Sequence, residues 1–171
     1  MVKIGKNISE FSVYSCQPKN KDELKEIIMD RILIEGNECD LNDIDTSLIT
    51  DMYNLFGYFD FNGDISKWDV SNVKSMLAMF IHSTFNRDIS NWNVSNVENM
   101  AGMFYGTCFN GDLSNWDVKN VTDMHTMFYE SYYNKDISNW KINKRCDTVH
   151  MFERCPIKEE YKPKALQSWS R

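Results

Sequence analysis

Residues 61–70 read FNGDISKWDV, and the phrase returns as FNRDISNWNV at 85–94, FNGDLSNWDV at 109–118 and YNKDISNWKI at 133–142. The interval is 24 residues each time, and segments 61–84, 85–108, 109–132 and 133–156 align without a gap. A fifth, degraded copy fits at 37–60, where DLNDIDTSLITDMYNLF stands against DISKWDVSNVKSMLAMF. A fixed period of this length marks an array in which one small unit is stacked on the next.

The columns of the repeat show what packs. One holds Ile44, Trp68, Trp92, Trp116 and Trp140; two residues on come Thr46, Val70, Val94, Val118 and Ile142; three residues before come Leu41, Ile65, Ile89, Leu113 and Ile137. This apolar-x-x-apolar-x-apolar spacing is the front half of a leucine-rich repeat. Its last two apolar positions alternate as a short, half-buried strand does. A further column, Asp51, Ser75, Asn99, Asp123 and Asp147, offers side chains that cap helices well. Behind it come Met52, Met76, Met100 and Met124, then Leu55, Met79, Met103, Met127 and Met151 beside Phe56, Phe80, Phe104, Phe128 and Phe152. Apolar residues at i, i+3 and i+4 behind a cap predict about two turns of helix. Each unit thus reads as strand, turn, short helix and return loop. The tryptophans read as an internal stack, each over its counterpart in the next coil.

A single unit cannot bury these faces alone, so the array needs neighbours and ends. Residues 22–35, DELKEIIMDRILIE, predict a helix with Leu24, Ile27, Ile28 and Ile32 on one side and Gly36 as its stop. The chain divides into an N-terminal segment with this capping helix (1–36), a five-repeat array (37–156) and a C-terminal cap and tail (157–171). Pro156 and Pro163 suit the tail rather than an interior strand. Before the helix, only EFSVYSC (10–16) suggests a short strand.

Composition narrows the function classes. Hydrophobic residues make up 42% and aromatics 13%, enough for a packed core. A net charge of −6 argues against nucleic acid, whose phosphates need clustered Lys and Arg. No apolar run approaches the roughly 18 residues of a membrane span, so no membrane insertion is expected. The first residues lack the apolar core of a leader, so a cytoplasmic protein is expected; a cell-surface or secreted one is the alternative if a leader was removed. Five cysteines at irregular spacing read as reduced thiols.

FNGDISKWDVSNVKSMLAMF and its copies resemble the repeats of BspA-family leucine-rich-repeat surface proteins, the DISNWDVSNVTDMxxMF variety. The lead-in CDLNDIDTSLITDMYNLF resembles the unit that opens such arrays. The resemblance spans about residues 22–162. It implies an α/β, right-handed leucine-rich-repeat-like solenoid of five coils, each a short parallel strand plus a short helix, used for protein–protein contact and often found on bacterial surfaces. The Asn or Cys position of the standard repeat holds Val73, Val97 and Val121, with Asn72, Asn96 and Asn120 one residue earlier. The conventional asparagine ladder therefore does not carry over from the resemblance.

Each candidate site also has a structural reading. Asp40, Asp64, Asp88, Asp112 and Asp136 recur in every unit, either as a rail for Ca²⁺ or as turn caps that accept backbone N–H bonds; the second reading is favoured. Cys146, His150 and Cys155 have neither the number nor the paired spacing of a zinc site. His125 near Asp123 occupies a variable column, and no nucleophile or phosphate-loop motif is present, so no enzyme and no cofactor is expected. A metal-dependent binding or hydrolytic protein using these Asp or Cys/His columns is the alternative function.

The outward positions on either side of the tryptophan column vary between units, as a partner-facing surface does. They nominate Asp45, Lys67, Asp69, Asn91, Asn93, Asn115, Asp117, Asn139 and Lys141 as contacts for a protein partner on a concave sheet. Residues 37–60 hold six acids and no Lys or Arg, whereas 133–171 hold nine basic and five acidic residues. That asymmetry adds weak head-to-tail self-association as a second partner reading.

Overall fold

A computed structural model describes residues 15–167. Its hydrogen bonds overturn the α/β solenoid of parallel strands and short helices. Among the described residues there is no strand and no sheet. Helix is confined to α1 (Lys21–Glu35) and two three-residue 3-10 turns, Glu159–Tyr161 and Lys164–Leu166.

The expected strand fails because aspartates turn the chain on both sides of it. The Ser66 amide donates to Asp64 Oδ1 at 2.9 Å and the Trp68 amide to the Ile65 carbonyl at 3.2 Å. The apolar-x-x-apolar spacing is therefore the i and i+3 of a β-turn. A second turn follows at once, with Ser71 N–H on Asp69 Oδ1 (2.9 Å) and Val73 N–H on the Val70 carbonyl (3.0 Å). Only residues 68–70 lie between, too few for a ladder.

The expected helix fails because its backbone alternates in hand. Ala78, His82, Thr126, Glu130, His150 and Arg154 have φ of 53°, 50°, 52°, 53°, 56° and 56°, values no helix interior adopts. Successive i to i+3 turns result: Met79 N–H to Met76 O, Ile81 to Ala78, and Ser83 to Phe80. The intervening amides cross to the next coil instead. Met76, Ala78, Phe80 and His82 donate to the carbonyls of Asn99, Ala101, Met103 and Tyr105 at 2.8–3.0 Å. The column expected to cap helices is the column of parallel bridges, running Asp51, Ser75, Asn99, Asp123 and Asp147.

Burial follows the sequence columns even though the elements do not. Met76, Met79, Phe80, Met100, Met103 and Phe104 are fully buried. The continuous aromatic stacks are phenylalanines: Phe56, Phe80, Phe104, Phe128 and Phe152 at 5.6–5.7 Å, beside Phe61, Phe85, Phe109 and Tyr133 at 6.2–6.3 Å. The tryptophan stack is corrected accordingly. Trp116 and Trp140 stack at 6.5 Å, while Trp68 and Trp92 meet Phe56 and Phe80. What repeats at the tryptophans is a hydrogen bond: Nε1 of Trp68, Trp92, Trp116 and Trp140 donates to the carbonyls of Leu41, Ile65, Ile89 and Leu113 in the preceding coil.

Helix α1 closes the N-terminal end. Asn20 caps it through Oδ1 to the Glu23 amide (3.0 Å), and Gly36 ends it at φ 89°. Leu24 and Ile28 are buried in the core, with Ile27 and Ile32 partly so. The Arg31 guanidinium holds Asp43 at 2.9 Å and the Asp40 carbonyl at 2.9 Å. The strand suggested at 10–16 lies outside the described residues up to Tyr14; Ser15 and Cys16 pair with Asp43 and Asp45, and Cys16 makes a single bridge to Ile44. At the other end Ile157 is buried, and the Tyr161 carbonyl accepts the Ile137 amide at 2.9 Å.

Candidate interaction surface

Most repeating polar columns are consumed inside the stack. Each of Asp40, Asp64, Asp88, Asp112 and Asp136 accepts, through Oδ1, the amide two residues on, at 2.8–2.9 Å. The Ser114 and Ser138 amides hold the Asp112 and Asp136 carboxyls below the usual carboxylate range. Asn62, Asn86, Asn110 and Asn134 form an acceptor ladder, each Oδ1 taking the amide 24 residues on: those of Asn86, Asn110, Asn134 and Lys158. Asn72, Asn96 and Asn120 form a donor ladder, each Nδ2 reaching the carbonyl of Ser47, Ser71 or Ser95 at 2.7–2.9 Å. The resemblance gave no ladder at these asparagines, yet one exists.

The positions beside the tryptophans differ. Lys67, Asp69, Asn91, Asn93, Asn115, Asp117, Asn139 and Lys141 are exposed, while Asp45 is half-buried and holds Gln17 Nε2 at 2.6 Å. Asp69 and Asn93 cap local turns, Asp117 pairs with Lys119 at 2.7 Å, and Asn139 donates to the Ser114 carbonyl. The Lys119 ammonium lowers the Asp117 carboxyl. The side chains of Lys67, Asn91, Asn115 and Lys141 make no hydrogen bond or ion pair among the described residues. Asn115, Asp117, Asn139 and Lys141 rim an open cleft of about 460 Å³ against Trp116 and Trp140. No concave sheet carries these residues; a run of capped turns does.

One grouping escaped sequence reasoning, and another gained a member, Asp147, beside the His125 and Asp123 already considered. Tyr58, His82, Tyr105 and Tyr129 form an aromatic row across four coils, with centroids 5.3, 4.7 and 5.0 Å apart, and the Arg154 guanidinium lies over Tyr129 at 5.9 Å. Gly106, at φ 65°, makes room for it, since a Cβ there would lie 2.3 Å from His82 Nδ1. The row joins two different columns, so no single column signals it. Asp123, His125 and Asp147 bring donor atoms within 4.8 Å of one another, with His125 Nδ1 already 2.8 Å from Asp123 Oδ1. Cys146, His150 and Cys155 are not brought together: His150 Nδ1 faces Glu153, while the Cys155 thiol donates to the Tyr133 carbonyl. Burial, with the Asp123 and Asp147 charges, pushes the Cys146 thiol up to about 11, the opposite of a reactive thiolate.

Gap-free units joined by backbone and side-chain ladders define a repeat-type protein. The chain belongs to the family described as Mycoplasma protein of unknown function, DUF285, whose model matches residues 25–132 and 107–169. No curated protein and no solved structure matches it.

Proposed function

We propose that this protein is a non-enzymatic interaction module that holds a protein partner on the face flanking its buried tryptophans. The kinship with BspA-type surface proteins is part of this proposal and rests on the DISxWDVSNVxxMxxMF motif. One observation carries the reading. Three repeating polar columns, led by Asp64, Asn62 and Asn72, are spent on internal hydrogen bonds, whereas Lys67, Asn91, Asn115 and Lys141 are exposed and, among the described residues, unbonded. Side chains that do not hold the fold are free to vary with a partner.

The test begins with affinity capture and mass spectrometry to identify a partner, followed by calorimetry on variants. Lys67→Glu with Asn91→Arg should weaken binding at least tenfold, the loss of a central contact, with stability changed by less than about 0.5 kcal/mol. Lys74→Gln and Glu98→Gln, an exposed pair at 3.4 Å on another face, serve as the control. Normal binding by the first pair and loss by the second would refute the choice of face.

A further inference from the structure

The two ends of the stack are not closed alike. In the fourth coil the amides of Met124, Thr126, Phe128 and Glu130 donate to the carbonyls of Asp147, Val149, Met151 and Glu153 at 2.7–3.0 Å. The last coil repeats that backbone: His150 and Arg154 both have φ 56°, and its turns close through Met151 N–H to Thr148 O and Glu153 N–H to His150 O. Its own amides at Thr148, His150, Phe152 and Arg154 therefore point away from the stack. Among the described residues none of the four has an acceptor. The C-terminal segment covers the rest of the coil, where Lys158 N–H meets Asn134 Oδ1 and the Tyr161 carbonyl meets Ile137, and its Lys162 reaches over the Phe152 ring at 5.9 Å without taking any of the four amides.

This edge differs from that of a β-strand, which alternates donors and acceptors. Here the carbonyls of Thr148, His150 and Phe152 are spent on turns, and those of Asp147, Val149, Met151 and Glu153 on the preceding coil. From Asp147 to Glu153 every carbonyl is thus engaged, so N–H groups are what the edge offers, and oriented amides of this kind favour negative charge. Such an edge cannot pair with a copy of itself. The matching carbonyl edge of the first coil lies under α1, whose Lys21 reaches Asp51 and the Tyr53 ring and whose Lys25 lies over Phe59. A second copy is thus barred unless α1 moves. Lys144 and Arg145, exposed and without an ion pair among the described residues, stand just before the edge.

We infer that this open edge docks an extended acidic segment of a partner protein, whose carbonyl and carboxylate oxygens accept from Thr148, His150, Phe152 and Arg154. It is a separate surface from the face beside the tryptophans, and it extends the stack as an added strand extends a sheet.

The test uses the full chain, ¹⁵N-labelled, and a capped peptide with the sequence of residues 51–60, DMYNLFGYFD, which carries two carboxylates and no cation. Without peptide, the four amides should exchange with solvent far faster than those of Met124, Thr126, Phe128 and Glu130. Peptide should shift the same four resonances and slow their exchange. Lys144→Glu with Arg145→Glu, and separately Thr148→Pro, should each weaken binding about tenfold, the worth of one or two polar contacts. Slow exchange before peptide is added would overturn the inference, as would unmoved resonances or full-strength binding by the charge-reversed variant. Protection that rises with protein concentration alone would also overturn it, because the occupant would then be a second copy.

Discussion

The indole Nε1 of Trp92 donates to the carbonyl oxygen of Ile65 at 3.2 Å, across the boundary between two coils. The same oxygen accepts the Trp68 amide, so one carbonyl closes a turn and fastens the next coil to it. Trp92→Ala should cost about 3–5 kcal/mol, as large aromatic deletions in cores do. Trp92→Phe keeps much of the packing and loses the bond; an added cost near 1 kcal/mol is expected, since Ile65 retains its Trp68 partner. Urea unfolding measures both, and a loss under about 1 kcal/mol for Trp92→Ala would place the indole outside the core.

The two asparagine ladders respond oppositely to one substitution. Asn110 accepts the Asn134 amide through Oδ1, whereas Asn96 donates to the Ser71 carbonyl through Nδ2. Aspartate keeps the acceptor and removes the donor. Asn110→Asp should therefore be nearly neutral at pH 7, while Asn96→Asp should lose about 1 kcal/mol or more. Equal effects would mean the amides are oriented otherwise.

The period, the buried columns and α1 were legible because hydrophobic spacing and caps report on burial and chain reversal. The elements between them were not. Apolar residues at i and i+3 suit a β-turn as well as a helix, and an Asp before them caps either one. The deciding signal was backbone hand, carried by Ala78, His82, Thr126 and Glu130, none of which advertises a positive φ. Only one coil places glycine at both positions, Gly102 and Gly106 (φ 58° and 65°). For the candidate surface, alternation with Trp68 and Val70 identified exposed residues. It did not show which were bonded; that depended on Asx turns such as Asp69 to Ser71.

Acid should loosen the turns. The Asp112 and Asp136 carboxyls lie below their ordinary value because the Ser114 and Ser138 amides bond the charged form. A depressed folded pKa adds stability that is present above the unfolded value, about 3.9, and is lost as pH falls through the folded one. The melting temperature should therefore decline below about pH 4. In Asp112→Asn with Asp136→Asn that acid limb should flatten. An unchanged limb would mean these caps do not couple to folding.

Removal of residues 85–108 should leave a shorter, cooperatively folding protein, because the backbone hydrogen bonds of each coil reach only adjacent coils and the one longer contact among the described residues, the exposed Arg87–Glu38 pair at 3.4 Å, contributes little. The amides of Met76, Ala78, Phe80 and His82 would then meet the carbonyls of Asp123, His125, Met127 and Tyr129, which now serve the deleted coil. Circular dichroism and a thermal melt check this, and a chain that no longer folds would show coupling beyond adjacent coils.

Stacking without strands or helices is tested most directly by coupling across a hydrogen bond in the isotope-labelled protein. The Phe104 amide nitrogen should couple to the carbonyl carbon of Met127, its acceptor in the next coil at 2.9 Å. Coupling of that nitrogen to the Met100 carbonyl carbon, the partner a helix would supply, would contradict the structure at its repeating unit.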